Sequence, residues 1–409
     1  MKFRIHRGAK EIGGNCIELS FGGKTLLLDL GMPLTLGKPL DASLPVISGL
    51  ADGNNENFLG VVLSHPHADH YGLVGKAAQN TRVYLGQDSQ NLLKAALPFT
   101  TFGLNLTNAV TYQDRQAFEV GPFRITPFLV DHSAFDAYSL LVEAGSRRLF
   151  YTGDFRSHGR KLGAFKRLLT ETAIKGADVM LMEGTHLGRH GQAEAQTEAS
   201  LEDDMAESIS NTKGLVLACF SGQNIDRVVT FWKAARRAGR TFVADVYLAH
   251  ILESLNRSTL PKPPVFLPKM MKAKLIRENN TEVVLPFRRR RVYPEQIPDK
   301  ANKLVMMFRS SMMQEFESLG CLKGGRLICS QWPGYLDRDR VDIRTWCAQH
   351  ELDFEILHTS GHADIRTLIE LARSVEAKRL IPIHTDSPAR LSELIPGATP
   401  VHDGEWIQV

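Results

Sequence analysis

The sequence has no apolar run long enough to span a bilayer, and its opening stretch, MKFRIHRGAKEIGGN, carries no signal-peptide core. Both absences predict a cytoplasmic protein with no membrane partner. Cysteine is scarce: five residues (Cys16, Cys219, Cys321, Cys329, Cys347), an odd number with no CxxC pair. Reduced thiols fit this usage better than a disulfide frame. Charge of either sign is not in excess, since 49 basic and 45 acidic residues leave a formal +4, so composition alone does not announce a nucleic-acid binder. No internal repeat or low-complexity tract stands out. What is present in quantity is apolar material, 43% of 409 residues, enough for two cores at usual domain sizes.

The pattern changes near residue 212. Before it, strands are separated by Gly-rich turns. CIELSF and TLLLDLG flank GGK as a hairpin, SLLVEAGSRRLFYTGDF predicts a second one, and FLGVVLSH and ADVMLMEGT read as buried strands. DHYGLVGKAAQ predicts a helix following FLGVVLSH. Beyond 212, strand and helix alternate. GLVLACF, the tight loop SGQ, the helix NIDRVVTFWKAARRAG with Asn224 as N-cap, and TFVADVY make a βαβ unit, which implies a parallel sheet. Residues 258–300 are proline-rich, contain FRRRRVYP, and predict an irregular, exposed excursion. Alternation returns with FEILHTSGH into ADIRTLIELARSV and RLIPIHTD into SPARLSELI.

The densest chemistry lies in VVLSHPHADH, where His65, His67, Asp69 and His70 follow an apolar strand directly. Imidazole with carboxylate suits zinc, with manganese and iron as alternatives. On a loop leaving a strand, this spacing can send His65 and His67 to one ion and Asp69 and His70 to another. Asp29 in LLLDLG, His132 in FLVDHS, Asp154 in YTGDF and His384 in IPIHTD each end an apolar strand as well. A lone strand-end histidine is usually structural. The repeated placement makes these four candidates, because strand ends converging on one sheet edge are where sites are built. His158, His186, His190, His250, His350 and His402 lie in no such motif and read as structural. Met306, Met307, Met312 and Met313 read as packing.

HxHxDH followed by a later His, a GD and a C-terminal His resembles the metallo-β-lactamase superfamily. The resemblance implies an α/β fold, the αββα sandwich, and two divalent ions, zinc or alternatively manganese. His65, His67 and His132 would take the first ion, Asp69, His70 and His384 the second, with Asp154 bridging and Asp29 orienting ligands or water. Asp154 and His384 are 230 positions apart, which predicts an inserted domain. This arrangement is similar to the β-CASP branch of nucleic-acid-cleaving metallohydrolases, and HTSGHAD and EIGGNCIEL most resemble its ribonuclease J side. The expected layout is a core over 1–190, an inserted β-CASP domain over 191–350, and the C-terminal part of the core over 351–409. Ribonuclease J proteins usually continue into a further C-terminal domain, whereas this sequence runs 25 residues past His384. A compact two-domain form is expected, with homodimerisation open.

The resemblance further implies a metal-dependent ribonuclease that hydrolyses phosphodiesters with a hydroxide activated by two cations, leaving 5′-phosphate and 3′-hydroxyl ends. Asp69 would serve catalysis as well as metal binding. His362 in HTSGHAD would protonate the departing oxygen, and Glu183 in LMEGTHLGR would hold that imidazole. His384 in the last motif favours RNA over single-stranded DNA, the substrate of repair-type relatives and the alternative reading. Lactone or thioester hydrolysis on the same scaffold is a third. Ser221, Gly222 and Asn224, at a helix start, can offer backbone N–H groups to a phosphate. His358 and Ser360 resemble the ribonuclease J residues that receive a 5′-terminal monophosphate, which implies a preference for 5′-monophosphate ends and admits 5′-exonucleolytic action, with exo or endo mode open. The sequence departs from the family here, with SGQN where SSN is more usual. Arg288 to Arg291 can contact an RNA backbone, although such a run is more often a solvated loop.

Overall fold

A computed structural model describes residues 1–34, 42–101, 103–188, 195–336 and 342–409. The expected boundary at 190 and 191 lies outside the described residues, as does His190. The chain divides into two compact units. One comprises Met1–Lys94, Leu104–Ala195 and Gly361–Val409, the other Ala95–Gly103 and Gln196–Ser360. The second unit is therefore an insertion in the sequence of the first.

Two mixed sheets build the first unit. One orders β20 (Trp406–Gln408), β1 (Lys2–Arg7), β2 (Cys16–Phe21), β3 (Lys24–Leu28), β4 (Phe58–Val62), β5 (Val83–Gly86) and β6 (Ala109–Tyr112). Pairing is antiparallel from β20 to β3 and parallel from β3 to β6. The other orders β19 (Leu380–Ile383), β11 (Val179–Glu183), β10 (Arg147–Tyr151), β9 (Ala137–Ala144), β8 (Phe123–Val130) and β7 (Phe118–Val120). Its hairpins are antiparallel, while β10, β11 and β19 run parallel.

Alternate residues of both sheets meet in one core, with Phe3, Leu26 and Val62 packed among Phe123, Leu140, Leu149 and Leu181. The outer face of the second sheet, through Phe150, Met180 and Met182, is covered by Phe165 and Leu168 of the helix Leu162–Leu169 and Leu368 and Leu371 of the helix Ile365–Val375. Leu27, Val61 and Val83 on the outer face of the first sheet bury against Leu50, Tyr71, Leu73 and Leu93. Each sheet thus has one face toward the other sheet and one under a covering layer, the αββα order. Among the described residues, no helix is long and apolar enough to cross a membrane.

The second unit carries one sheet, ordered β15 (Arg291–Val292), β14 (Val265–Phe266), β13 (Thr241–Asp245), β16 (Leu304–Phe308), β12 (Val216–Cys219), β17 (Arg326–Cys329) and β18 (Asp353–Ile356). Every pairing is parallel. The runs VLAC and LVMMF are buried at every position, as strands covered on both faces require. From β12 the chain moves out through β13 to β15, returns to β16, and then crosses to β17 and β18. The strand order therefore reverses around β12 and β16, the place where doubly wound sheets bind ligands. The helix Ile225–Arg237 that links β12 to β13 is capped as expected: Asn224 Oδ1 accepts from the backbone N–H of Arg227 at 3.1 Å.

Three expectations need correction. DHYGLVGKAAQ is not one helix but a short turn of helix, Ala68–Tyr71, and a 3₁₀ turn, Val74–Lys76. Tight packing stops it: a Cβ on Gly72 would lie 2.7 Å from Met32 Cβ, and the N–H of Leu73 donates to Leu30 O at 3.0 Å. Residues 258–300 are more ordered than their prolines imply. They form the helix Lys269–Arg277 and a 3₁₀ segment, Thr281–Arg290, anchored by fully buried Phe287. Finally, β18 pairs with β17, so the second unit extends to Ser360, past the expected 350.

Candidate metal centre

Strand ends of both sheets in the first unit bring the predicted side chains together. His65, His67, Asp69 and His70 follow β4, His132 follows β8, Asp154 follows β10 and His384 follows β19. Ligand atoms of His65, His67 and His132 lie within 4.8 Å of one another, and so do those of Asp69, His70, Asp154 and His384. Asp154 sits against both groups, with Oδ2 3.7 Å from His65 Nε2 and 3.1 Å from His70 Nε2 and Oδ1 3.2 Å from His384 Nδ1. Asp69 Oδ2 is 3.6 Å from His384 Nε2.

Hydrogen bonds behind the cluster decide which ring nitrogens face inward. Asp29 Oδ2 accepts from His70 Nδ1 at 2.7 Å, from Ser64 Oγ at 2.8 Å and from the Tyr151 hydroxyl at 2.5 Å, while Oδ1 accepts from the Ser64 N–H at 2.7 Å. Ser64 Oγ has spent its proton on Asp29, so at 3.0 Å it accepts from His65 Nδ1. Gly361 O accepts from His132 Nδ1 at 2.5 Å. The Nδ1 protons of His65, His70 and His132 are thereby committed outward, which leaves each Nε2 turned to the cluster, the arrangement that orients metal-binding imidazoles. Gly361 can approach because it lacks a side chain: a Cβ there would lie 2.3 Å from Ser133 Oγ. Asp29 and His384 both hold left-handed backbone, φ 58° and 52°, a local strain characteristic of functional strand ends.

Burial depresses His65 and His132 well below the ordinary imidazole range and His67 to about 4. It also lowers His384. These four rings are neutral lone-pair donors. His70 goes the other way: burial opposes its charge, but the Asp154 and Asp29 carboxylates raise it well above the usual value. Burial would likewise raise Asp154, yet His384, His70 and His362 hold it far below the ordinary carboxylate range.

The cluster leaves six buried polar atoms without a hydrogen bond: Nε2 of His65, Nε2 of His70, both carboxylate oxygens of Asp154 and both ring nitrogens of His384. Buried polar atoms are nearly always satisfied. Converging ring nitrogens and carboxylate oxygens of this kind fit divalent cations of the zinc class, which would displace the proton that the carboxylates favour on His70.

Beside the cluster, His362 Nδ1 lies 3.0 Å from Thr185 Oγ1 and 3.4 Å from Glu183 Oε1. Glu183 is fully buried and fixed, its oxygens accepting from Ala363 N at 3.1 Å and Thr185 N at 3.0 Å. Burial disfavours the imidazolium, but Glu183 first and Asp154 next raise His362 to about 9. Glu183 itself is lowered, because His362 outweighs its burial. The sequence reading did not single out Ser64, Tyr151, Thr185 or Gly361. The one available signal was their adjacency to motif residues. His186, read as structural, has its ring 6.2 Å from that of His362.

The phosphate candidates lie in the second unit. Ser221, Gly222 and Asn224 follow β12, and His358 and Ser360 follow β18. Asn224 spends its side chain on capping, and Ser221 Oγ accepts from Gln223 N at 3.4 Å. The link between the two loops is Arg227, absent from the sequence reading, whose Nη1 is 3.2 Å from His358 Nδ1. Arg309, after β16, was also missed. Its Nε donates to Asp245 Oδ2 at 2.5 Å, and its buried Nη2 has no hydrogen bond. The arginine run divides. Arg288 and Arg289 are exposed, whereas Arg290 is held by Glu253 and Pro263 O, and Arg291 lies over the Tyr293 ring.

Residues 50–209 match a beta-lactamase superfamily domain, and residues 354–395 match a Zn-dependent metallo-hydrolase RNA specificity domain. These matches, with the relatives below, support the ribonuclease J-like β-CASP branch of the metallo-β-lactamase superfamily as the family that this chain resembles. Ribonuclease J of Sinorhizobium meliloti is 24% identical over 57% of this chain and 43% of its own length. An RNase J-like protein of Methanocaldococcus jannaschii is 23% identical over 60% of this chain and 57% of its own. The chain thus spans about half the length of the curated relatives it matches. A crystal structure of a protein of unknown function from Enterococcus faecalis V583 shares the fold at TM-score 0.79 and 19% identity, over 99% of both chains.

Proposed function

We propose that this chain is a metal-dependent ribonuclease of the metallo-β-lactamase superfamily that leaves 5′-phosphate and 3′-hydroxyl ends. The observation that carries the reading is the gathering of seven ligand-type side chains, from strand ends far apart in sequence, around six orphaned buried polar atoms. His65, His67 and His132 would hold one ion and Asp69, His70 and His384 a second, with Asp154 shared and Asp29 setting the rings. Such ions supply Lewis acidity to a phosphodiester and its attacking water.

The chain's own residues supply the rest. Glu183 and Thr185 face Nδ1 of His362, so Nε2 is the nitrogen that would act on substrate. Because Glu183 and Asp154 favour the imidazolium, His362 holds a proton at neutral pH. That proton, given up from Nε2 to the departing 3′ oxygen, makes His362 a general acid. Glu183 positions the ring and stabilises its charge. Ser221, Gly222, His358 and Ser360 would receive a terminal 5′-phosphate, which would favour 5′-exonucleolytic action; Asn224, its side-chain oxygen given to Arg227 N–H and its own N–H to Ser221 O, holds the helix start behind them.

The test is cleavage of 5′-labelled and 3′-labelled single-stranded RNA and DNA, side by side, with Zn²⁺ or Mn²⁺. RNA cleavage that disappears in Asp69→Ala and Asp154→Ala supports the proposal. Preference for DNA would reassign the polymer, and lactone turnover with untouched RNA would overturn the nuclease reading.

A further inference from the structure

Arg227 is fully buried, projecting from the first turn of the helix Ile225–Arg237. Its guanidinium reaches Glu198 (Nη2 to Oε1 3.0 Å, Nε to Oε2 3.4 Å), the carbonyls of Ser330 at 3.0 Å and Thr359 at 3.1 Å, the hydroxyl of Ser330, and Nδ1 of His358 at 3.2 Å. Glu198 balances the buried charge and also accepts from Thr230 Oγ1 at 2.8 Å.

A guanidinium has donors only and does not lose its proton in a protein. The imidazole nitrogen facing it must therefore be the lone-pair nitrogen. A proton on Nδ1 would set N–H against N–H beside a full positive charge. The ring is then neutral and carries its one proton on Nε2. We propose that Arg227 is a positioning residue that locks His358 in the Nε2–H tautomer, so that the ring offers a standing donor to a terminal phosphate. This rests on the reading above that His358 receives the substrate's 5′-phosphate.

The same guanidinium fixes the backbone around the ring. Thr359 is held through its carbonyl. On the other side, Ser330 Oγ donates to Leu357 O and accepts from Arg227. The residues before and after His358 are thus tied to one buried cation, which limits the motion of the ring without touching substrate. In the opposite tautomer, Nε2 would turn a lone pair toward phosphate oxygen, and the contact would become repulsive.

The test uses the full chain labelled with ¹⁵N-histidine and long-range imidazole correlations, with the His358 signals identified by their loss in His358→Gln. The expected spectrum has a bare Nδ1 and a protonated Nε2, and titration with uridine 5′-monophosphate shifts the Nε2–H signal. In Arg227→Gln, whose amide can accept from Nδ1 as well as donate to it, the expected results are mixed tautomers and a KM for 5′-monophosphorylated RNA raised about tenfold, the equivalent of about 1.4 kcal/mol, with kcat unchanged. A proton on Nδ1 in the wild type overturns the proposal. So does an Nε2–H signal indifferent to the nucleotide, or a folded Arg227→Gln with unaltered tautomer and KM. Should the glutamine variant fail to fold by circular dichroism, the wild-type spectrum and titration decide alone. They also decide if RNA is not cleaved at all, an outcome that would remove the ribonuclease reading but not the tautomer.

Discussion

The strand-end loops of the two units treat their polar atoms in opposite ways. In the first unit, six buried polar atoms of His65, His70, Asp154 and His384 end without hydrogen bonds. In the second, Arg227, Glu198, Asn224 and Ser330 hydrogen-bond one another or the nearby backbone, although Arg309 Nη2 is buried without a hydrogen bond. An unsatisfied buried polar group costs roughly 1–3 kcal/mol, so six in one place describe a site completed from outside. A satisfied network needs no such completion and is suited to holding other groups still. The first region is defined by what it must bind, the second by what it positions.

The harshest way to break this contrast is to remove the shared carboxylate. Asp154→Ala should abolish activity and leave less than one equivalent of tightly bound metal by elemental analysis, since Asp154 lies against both ligand groups. Two equivalents retained in a folded variant would refute the shared-carboxylate assignment. Next in size, His362→Ala should keep its metal and lose roughly 10²–10⁴ in kcat, the usual contribution of a general acid. The companion change, Glu183→Gln, tests the electrostatics. His362 must be protonated to act, so activity falls as pH rises through its pKa. Removing the Glu183 charge lowers that pKa, and the basic limb of the pH–rate profile should move toward acid. A limb that stays put would separate Glu183 from the acid.

A subtler probe is Asp29→Asn, which keeps the shape but removes the carboxylate that accepts from His70, Ser64 and Tyr151. Metal affinity should fall about 10–100-fold, as for other outer-shell partners. Competition with a chelator measures this, and unchanged affinity would mean that the ring orientations need no such support.

How much of this the sequence made legible follows the same divide. The metal candidates could be read because each combines a ligand-type side chain with a preceding apolar strand, and both features are local. Asp29, Asp154 and His384 are far apart in the chain but share that signature. Thr185, Gly361 and Ser64 were not legible. A threonine hydroxyl under an imidazole or a carbonyl accepting from His132 depends on where the backbone of another segment passes, which no local pattern encodes. Arg227 and Arg309 were hidden for a related reason. An arginine in the first turn of an amphipathic helix, or at a strand exit, looks solvated until the fold buries it. The broken helix after Ala68 shows the converse, since DHYGLVGKAAQ has helical character and tertiary packing at Gly72 overrides it.

The smallest effect expected is also the sharpest test of the second unit as scaffolding. Asn224 caps the helix Ile225–Arg237 through Oδ1, and the N–H it satisfies belongs to Arg227 itself. Asn224→Ala should cost about 1 kcal/mol, the usual value of an N-cap, seen as a fall of about 2–4 °C in the unfolding of that unit. Metal content should not change, because no atom of the metal cluster depends on this cap. If Asn224 instead touched a bound phosphate directly, the loss would appear in KM for 5′-monophosphorylated RNA while thermal stability stayed nearly constant. Calorimetry and KM, measured on the same variant, therefore separate a residue that holds the helix start from one that holds the substrate. Only the first outcome is consistent with an amide whose oxygen is already committed to Arg227.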